Sequence, residues 1–231
     1  MNMRTQKRGR RKVNNRGKKR RSRLIILMIL SVVVALIVIF SFRGVNTLYD
    51  RYFGEKYWQR DKEKLSVESP IIDVQLLTEN PYSRPGTPTK RIQNIVVHYT
   101  ANPGSTAQDN RDYFESLKDQ ETTAVSSNFI VGLDGEIIQC VPTWEMAYAS
   151  NSANETSVSI EMCHPDMSGR FNEETYESTV YLCAFLCEMF GLSEEDVIRH
   201  YDVTGKNCPL FFVEDEEAYE QFHKDIEAAM Q

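Results

Sequence analysis

Four histidines and five cysteines are the side chains of this 231-residue sequence best suited to hold a metal or move a proton. His98 closes an apolar run, IQNIVVHY (92–99), where a core strand would ordinarily carry Val or Ile. His200 opens the segment HYDVTGKNC, eight residues before Cys208. Two neutral imidazoles and a thiolate are good zinc ligands. Three protein ligands leave a fourth position open to water, which separates a catalytic zinc site from a structural one. Spacing alone does not decide the matter: a His-x7-Cys pair with a remote histidine recurs by chance, and a strand histidine is more often a hydrogen-bonded core residue. By themselves, Glu161 at a strand end reads as solvated and Lys206 as surface charge. His164 follows Cys163 as a substrate-contact candidate, and His223 is expected on the exposed side of a C-terminal helix. An odd cysteine count in an exported chain leaves at least one thiol without an internal partner, and a metal thiolate would account for it. Cys183 and Cys187, one helical turn apart, read as small buried apolar residues. Cys140 and Cys163 end two predicted strands and are the candidate disulfide pair.

Alternating strands and helices must position these groups. Ile92 to Tyr99 reads as a buried β-branched strand, and Thr106 to Gln120 as an amphipathic helix with Ala107, Tyr113, Phe114 and Leu117 on its apolar side. Asn128 to Gly132 and Glu136 to Val141 are strands joined through Leu133-Asp134-Gly135, where Asp-Gly is a hairpin signal. Ser157 to Cys163 is a further strand. Glu173 to Phe190 is a long helix burying Tyr181, Leu182, Phe185 and Leu186, with Gly191 as its C-cap. Asp196 to His200 leads into a loop, and Glu214 to Met230 forms a terminal amphipathic helix. Residues 71–91, with Pro81, Pro85 and Pro88, read as an irregular lead-in. The pattern predicts an α/β fold: one domain, residues 71–231, with a central mixed β-sheet flanked by helices.

The N-terminal part is of another kind. Residues 1–23 carry twelve Lys or Arg and no acid. Of 27 basic and 33 acidic residues in all, the remainder therefore holds 15 basic against all 33 acidic ones, a formal −18. An acidic body excludes a nucleic-acid-binding domain, which needs a basic face toward phosphates. Leu24 to Phe42 is 19 uncharged residues, LIILMILSVVVALIVIFSF. As a helix it would span roughly 28 Å, close to a bilayer's hydrocarbon thickness. The basic flank sets the orientation by the positive-inside rule: arm in the cytoplasm against anionic lipid, everything after Arg43 outside. A cleaved signal peptide is the alternative. Its apolar region is usually about 7–15 residues long, and no small-x-small site follows here, so an uncleaved single-pass anchor is expected. Residues 43–70 then form a short helical stalk.

Four stretches carry a resemblance: IVVHYTANPGSTA (95–107), SSNFIVGLDGEIIQCVP (126–142), SVSIEM (157–162) and RHYDVTGKNCP (199–209). In this order they resemble the amidase-2 family, the N-acetylmuramoyl-L-alanine amidases, which includes bacteriophage lysozyme-type amidases and animal peptidoglycan recognition proteins. The resemblance implies Zn²⁺ as cofactor, with His98, His200 and Cys208 as its ligands. It matches Lys206 to the family's substrate-facing lysine and Glu161 to the acidic residue that some branches use as general base. Other branches use a tyrosine, and its place here is Ser127. The implied reaction is hydrolysis of the amide between the lactyl group of N-acetylmuramic acid and L-alanine of the peptidoglycan stem peptide. Tyr99, Asn102, Asn128 and His164 are expected to flank the cleft as substrate contacts, and a monomer is expected. The competing expectations are a non-catalytic peptidoglycan-binding module, in which the cysteine ligand is commonly missing, and a structural membrane protein that merely kept the fold.

Overall fold

The computed structural model describes residues 65–231. The basic arm, the apolar span at 24–42 and most of the expected stalk lie outside them. Among the described residues no helix is long and apolar enough to cross a membrane.

Six strands form the sheet: β1 (Ile72–Val74), β2 (Asn94–Tyr99), β3 (Phe129–Val131), β4 (Ile137–Gln139), β5 (Ser157–Met162) and β6 (Val197–Arg199). Their order is β1-β4-β3-β5-β2-β6. β3, β5, β2 and β6 run parallel, while β4 is antiparallel to β3 and carries β1 parallel to itself. Five helices follow in chain order: α1 (Ala107–Gln120), α2 (Glu173–Phe190), α3 (His200–Thr204), α4 (Leu210–Glu214) and α5 (Glu216–Ala229). The expected mixed sheet flanked by helices is present.

The central strands β2 and β5 are buried on both faces, which is why NIVVHY and SVSIEM read as near-continuous runs rather than strict alternations. The two-residue period still sorts their side chains. Ile95, Val97, Val158, Ile160 and Met162 join Leu182, Phe185, Leu186, Phe222 and Ile226 of α2 and α5 in the larger core. On the opposite face Ile130, Ile138 and Cys163 pack with Ala107 and Phe114 of α1. His98 and Glu161 stand directly across from each other in the β2–β5 register, at positions alternate to that larger core. Register therefore delivers an imidazole and a carboxylate side by side on one face.

Caps fix the long helices where the sequence places them. Thr106 and Asp109 form a reciprocal capping box at the start of α1. Asn172 caps α2, and Gly191 ends it in the left-handed region at φ 70°. Tyr113 and Tyr181 do not join the core: they are 47% and 38% exposed, because each is one residue, about 100° of helical turn, before the buried Phe114 and Leu182.

Several expectations are corrected. The lead-in contains β1, a three-residue edge strand too short and too exposed for its pattern to show. The end of the expected stalk touches the domain: Val67 is buried in the larger core, and the Ser66 and Val67 N–H groups donate to the Glu188 carboxylate at 2.7 and 2.8 Å. The terminal helix is present as α5, capped by Asp215 through the Ala218 N–H, and a further short helix, α4, precedes it where a loop is expected. His223 is half-buried, its Nε2 donating to the Val197 carbonyl at 2.8 Å. All five cysteines are free thiols, so Cys140 and Cys163 are not bridged.

Candidate metal centre

Three chain segments meet at the C-terminal ends of β2 and β6. His98 is the penultimate residue of β2, and His200 is the first residue of α3, directly after β6. The segment expected as a loop after His200 is thus a short helix. Gly205 ends it at φ 77°, a conformation that L side chains rarely adopt. The chain then returns, with the Tyr201 N–H donating to the Cys208 carbonyl at 2.9 Å, and sets the Cys208 thiol beside the first histidine. Cys208 Sγ lies 3.8 Å from His98 Nδ1, and the two imidazole centroids are 4.7 Å apart. One ligand atom from each of the three residues lies within 4.8 Å of the others, and all three residues are buried.

The donor set fits a divalent cation. Ligand atoms around a tetrahedral zinc stand about 3.5 Å apart, so the cluster needs only a small contraction. His200 Nε2 faces Asn151 Oδ1 at 2.9 Å, and His98 Nε2 faces Ser150 Oγ at 3.1 Å. An amide oxygen only accepts, so His200 carries its proton on Nε2 and its lone pair on Nδ1. That Nδ1 is buried with no hydrogen-bond partner. An unpaired buried polar atom costs about 1–3 kcal/mol, which a metal at this point would recover.

Electrostatics favour the same state of both rings. Burial, then His200 and Lys206, drive the His98 pKa well below its ordinary value, and burial and Lys206 lower that of His200. Both are therefore neutral imidazoles, the ligand form, at neutral pH. The Cys208 thiol is pushed up to about 12 by burial and the Glu161 charge, against the Tyr99 backbone N–H and Lys206. Without a cation it stays protonated, so metal binding here must release a proton.

Glu161 reaches the same face from β5. Burial, opposed by the Lys206 charge, pushes its carboxyl up to about 8, and its Oε2 is buried without a partner. Lys206 itself is exposed on the turn between α3 and Cys208, and its charge acts on His98, His200, Glu161 and Cys208 alike. His164 is 1% exposed and stacks on Tyr99 with ring centroids 5.1 Å apart. Its Nδ1 donates to the Asp166 carbonyl at 2.7 Å, leaving a lone pair on Nε2 that is buried and unpartnered. Tyr99 is half-buried against this ring, and its backbone N–H faces the Cys208 thiol. Asn102 is exposed and shapes the turn into α1, its carbonyl accepting from the Ser105 N–H and hydroxyl.

Asn128 is not a substrate contact. Its Oδ1 accepts from the Ser159 N–H at 3.0 Å and hydroxyl at 3.1 Å, and its Nδ2 donates to the Pro142 carbonyl at 3.1 Å. The side chain is fully engaged in stitching β5 to the 141–145 loop and has nothing left to offer a ligand. Ser127 is buried in the same network, its hydroxyl within hydrogen-bond reach of the Phe129 and Ser159 carbonyls at 2.9 and 3.0 Å. Sequence reasoning missed Ser150 and Asn151, which lie in the polar stretch SNSANETS and have no motif to mark them.

Residues 88–210, a stretch that contains His98, His200 and Cys208, match the family described as N-acetylmuramoyl-L-alanine amidase, Amidase_2. The chain belongs to the amidase-2 family. A probable N-acetylmuramoyl-L-alanine amidase of Bacillus licheniformis is 32% identical over 163 residues, covering 65% of this chain and 46% of that protein. The amidase CwlL of the same organism is 34% identical over 164 residues, with 65% and 45% covered. The chain thus spans about half the length of the curated relatives it matches. The solved structure of PlyL superposes with a TM-score of 0.59 at 23% identity, over 68% of this chain and 97% of that one, which is a likeness of fold.

Proposed function

We propose that this protein is a zinc-dependent N-acetylmuramoyl-L-alanine amidase, hydrolysing the amide between the lactyl group of N-acetylmuramic acid and L-alanine of the stem peptide. The observation that carries the reading is the convergence of His98, His200 and Cys208 from three segments of a family member, with a buried lone pair on His200 Nδ1 that nothing else uses.

These three residues would hold zinc. Bound there, the ion would supply a Lewis acid for the amide carbonyl and make water a nucleophile at neutral pH. Glu161 takes the role of general base: its carboxyl shares the face of His98, and its unpartnered Oε2 is free to take a proton from the attacking water and return it to the leaving amine. A carboxyl shifted toward neutrality suits both transfers, since a proton acceptor that must also donate works best near the operating pH. Lys206 supplies positive charge where the carbonyl oxygen becomes an oxyanion, a contribution of about 3 kcal/mol for groups of this kind. His164 Nε2, a fixed acceptor beside Tyr99, receives a substrate N–H, and Tyr99 and Asn102 line the approach.

The membrane placement rests on the sequence. Twelve basic residues precede the 19-residue apolar run, which supports a single-pass anchor with the catalytic domain outside the cell and the basic arm against anionic lipid. The deciding assay is stem-peptide release from muramyl peptides by the full chain in detergent, with and without a chelator. Chelator-sensitive release, lost in Glu161→Gln at undiminished zinc content, is the expected result. Binding of muramyl peptide by the zinc-loaded protein without release would replace the enzyme with a recognition module.

A further inference from the structure

The two imidazoles are aimed by a pair of adjacent residues with no ligand role of their own. Ser150 Oγ meets His98 Nε2 at 3.1 Å and Asn151 Oδ1 meets His200 Nε2 at 2.9 Å. Consecutive residues of one loop thus hold the outer nitrogens of both rings, leaving the two Nδ1 atoms turned toward the cluster. The loop is itself pinned: Asn154 Oδ1 accepts from the backbone N–H groups of Ala149 and Ser150 at 3.2 and 2.5 Å. The two contacts differ in force. A serine hydroxyl can donate or accept and follows whichever tautomer His98 adopts, whereas the Asn151 oxygen only accepts and dictates the tautomer of His200.

The backbone at Asn151 separates a side-chain role from a merely structural one. It lies at φ 51°, in the left-handed region, where glycine would be the less strained residue. Asparagine tolerates this conformation, and what it adds there over glycine is the Oδ1 on His200. We infer that Ser150 and Asn151 are positioning residues for the metal centre, with Asn151 holding His200 in the Nε2–H tautomer that presents a lone pair on Nδ1. This rests on the zinc reading of the site above. Partners of this kind orient ligating histidines and raise their basicity, and their loss typically weakens metal binding by about 10–100-fold.

The test uses the full chain, stripped of metal and titrated with zinc against a chromophoric chelator. Asn151→Gly removes the oxygen and relieves the backbone, so the melting temperature of the metal-free protein should stay close to wild type. Its zinc affinity should fall about 10–100-fold, and Asn151→Asp, which keeps an acceptor, should restore it. Ring-nitrogen NMR shifts of metal-free His200 should report a single Nε2–H tautomer in wild type and a mixture in Asn151→Gly. Wild-type affinity in Asn151→Gly, or an Asn151→Asp variant as weak as the glycine one, overturns the inference while leaving the zinc site standing. A wild-type chain that binds no zinc overturns the zinc reading and this inference with it.

Discussion

Two buried polar clusters lie within this sheet, and they are built to opposite ends. Around Asn128, Ser127 and Ser159 the side-chain donors and acceptors meet one another or nearby carbonyls, and the network ties β3, β5 and the 141–145 loop together. At the C-terminal ends of β2, β5 and β6 the reverse holds. Thr100 Oγ1, Glu161 Oε2, His164 Nε2 and His200 Nδ1 are the buried side-chain atoms left without a partner among the described residues. All four sit in or just after these parallel strands, the edge at which open α/β sheets bind their ligands. A closed polar network stabilises; an open one, whose cost the fold must absorb elsewhere, awaits a ligand.

Substitutions can break that contrast, and the largest effect belongs to the open cluster. Cys208→Ala should abolish zinc binding and lower turnover at least 10³-fold, while the metal-free protein melts near wild type; metal analysis and peptide-release kinetics check both. In the closed cluster Asn128→Ala should act the other way. Leaving the Ser159 N–H and the Val141 and Glu145 carbonyls without the amide that meets them, it should destabilise the domain by about 2–4 kcal/mol in denaturant titration, with the affinity of folded molecules for zinc unchanged.

Glu161 gives a pH signature of an open site. Its folded pKa of about 8 lies above the ordinary 4.5 that it regains on unfolding. Below 4.5 the carboxyl is neutral in both states, so this contribution is fully present. Between the two values the unfolded chain has lost a proton that the folded one keeps, so the stability of the metal-free protein falls as pH rises and levels off above about 8. The loss should be on the order of a few kcal/mol, and Glu161→Gln should flatten it. If metal-free wild type and Glu161→Gln show the same pH dependence, the carboxylate is not held open. The smallest effect is expected at His164→Ala, which removes one hydrogen-bonding contact: KM for muramyl peptide should rise by roughly fivefold, about 1 kcal/mol, with kcat little changed.

How much of this was legible depends on length and on reach. β2, β5, α1 and α2 carry periodicity long enough to read, and Gly191 caps α2 where the sequence puts it, whereas the N-caps Thr106 and Asn172 are visible only in the structure. β1 and α3 have three and five residues, too few for a period to appear. His98, His200 and Cys208 were named by resemblance, and only the fold brings residues 98 and 208 within 3.8 Å. Asn128 shows the limit of pattern: a polar residue just before a strand looks the same in sequence whether its amide faces a cleft or, as here, three carbonyls. Ser150 and Asn151 were invisible, since their meaning lies in which ring nitrogen each touches.

Zinc X-ray absorption of the loaded full chain reads the ligand set at His98, His200 and Cys208 itself. The expected result is a tightly held equivalent of zinc with one sulfur at about 2.3 Å and two imidazole nitrogens at about 2.0–2.1 Å, the sulfur vanishing in Cys208→Ser. A shell of oxygen and nitrogen alone in the wild type, or a sulfur that survives Cys208→Ser, would contradict it.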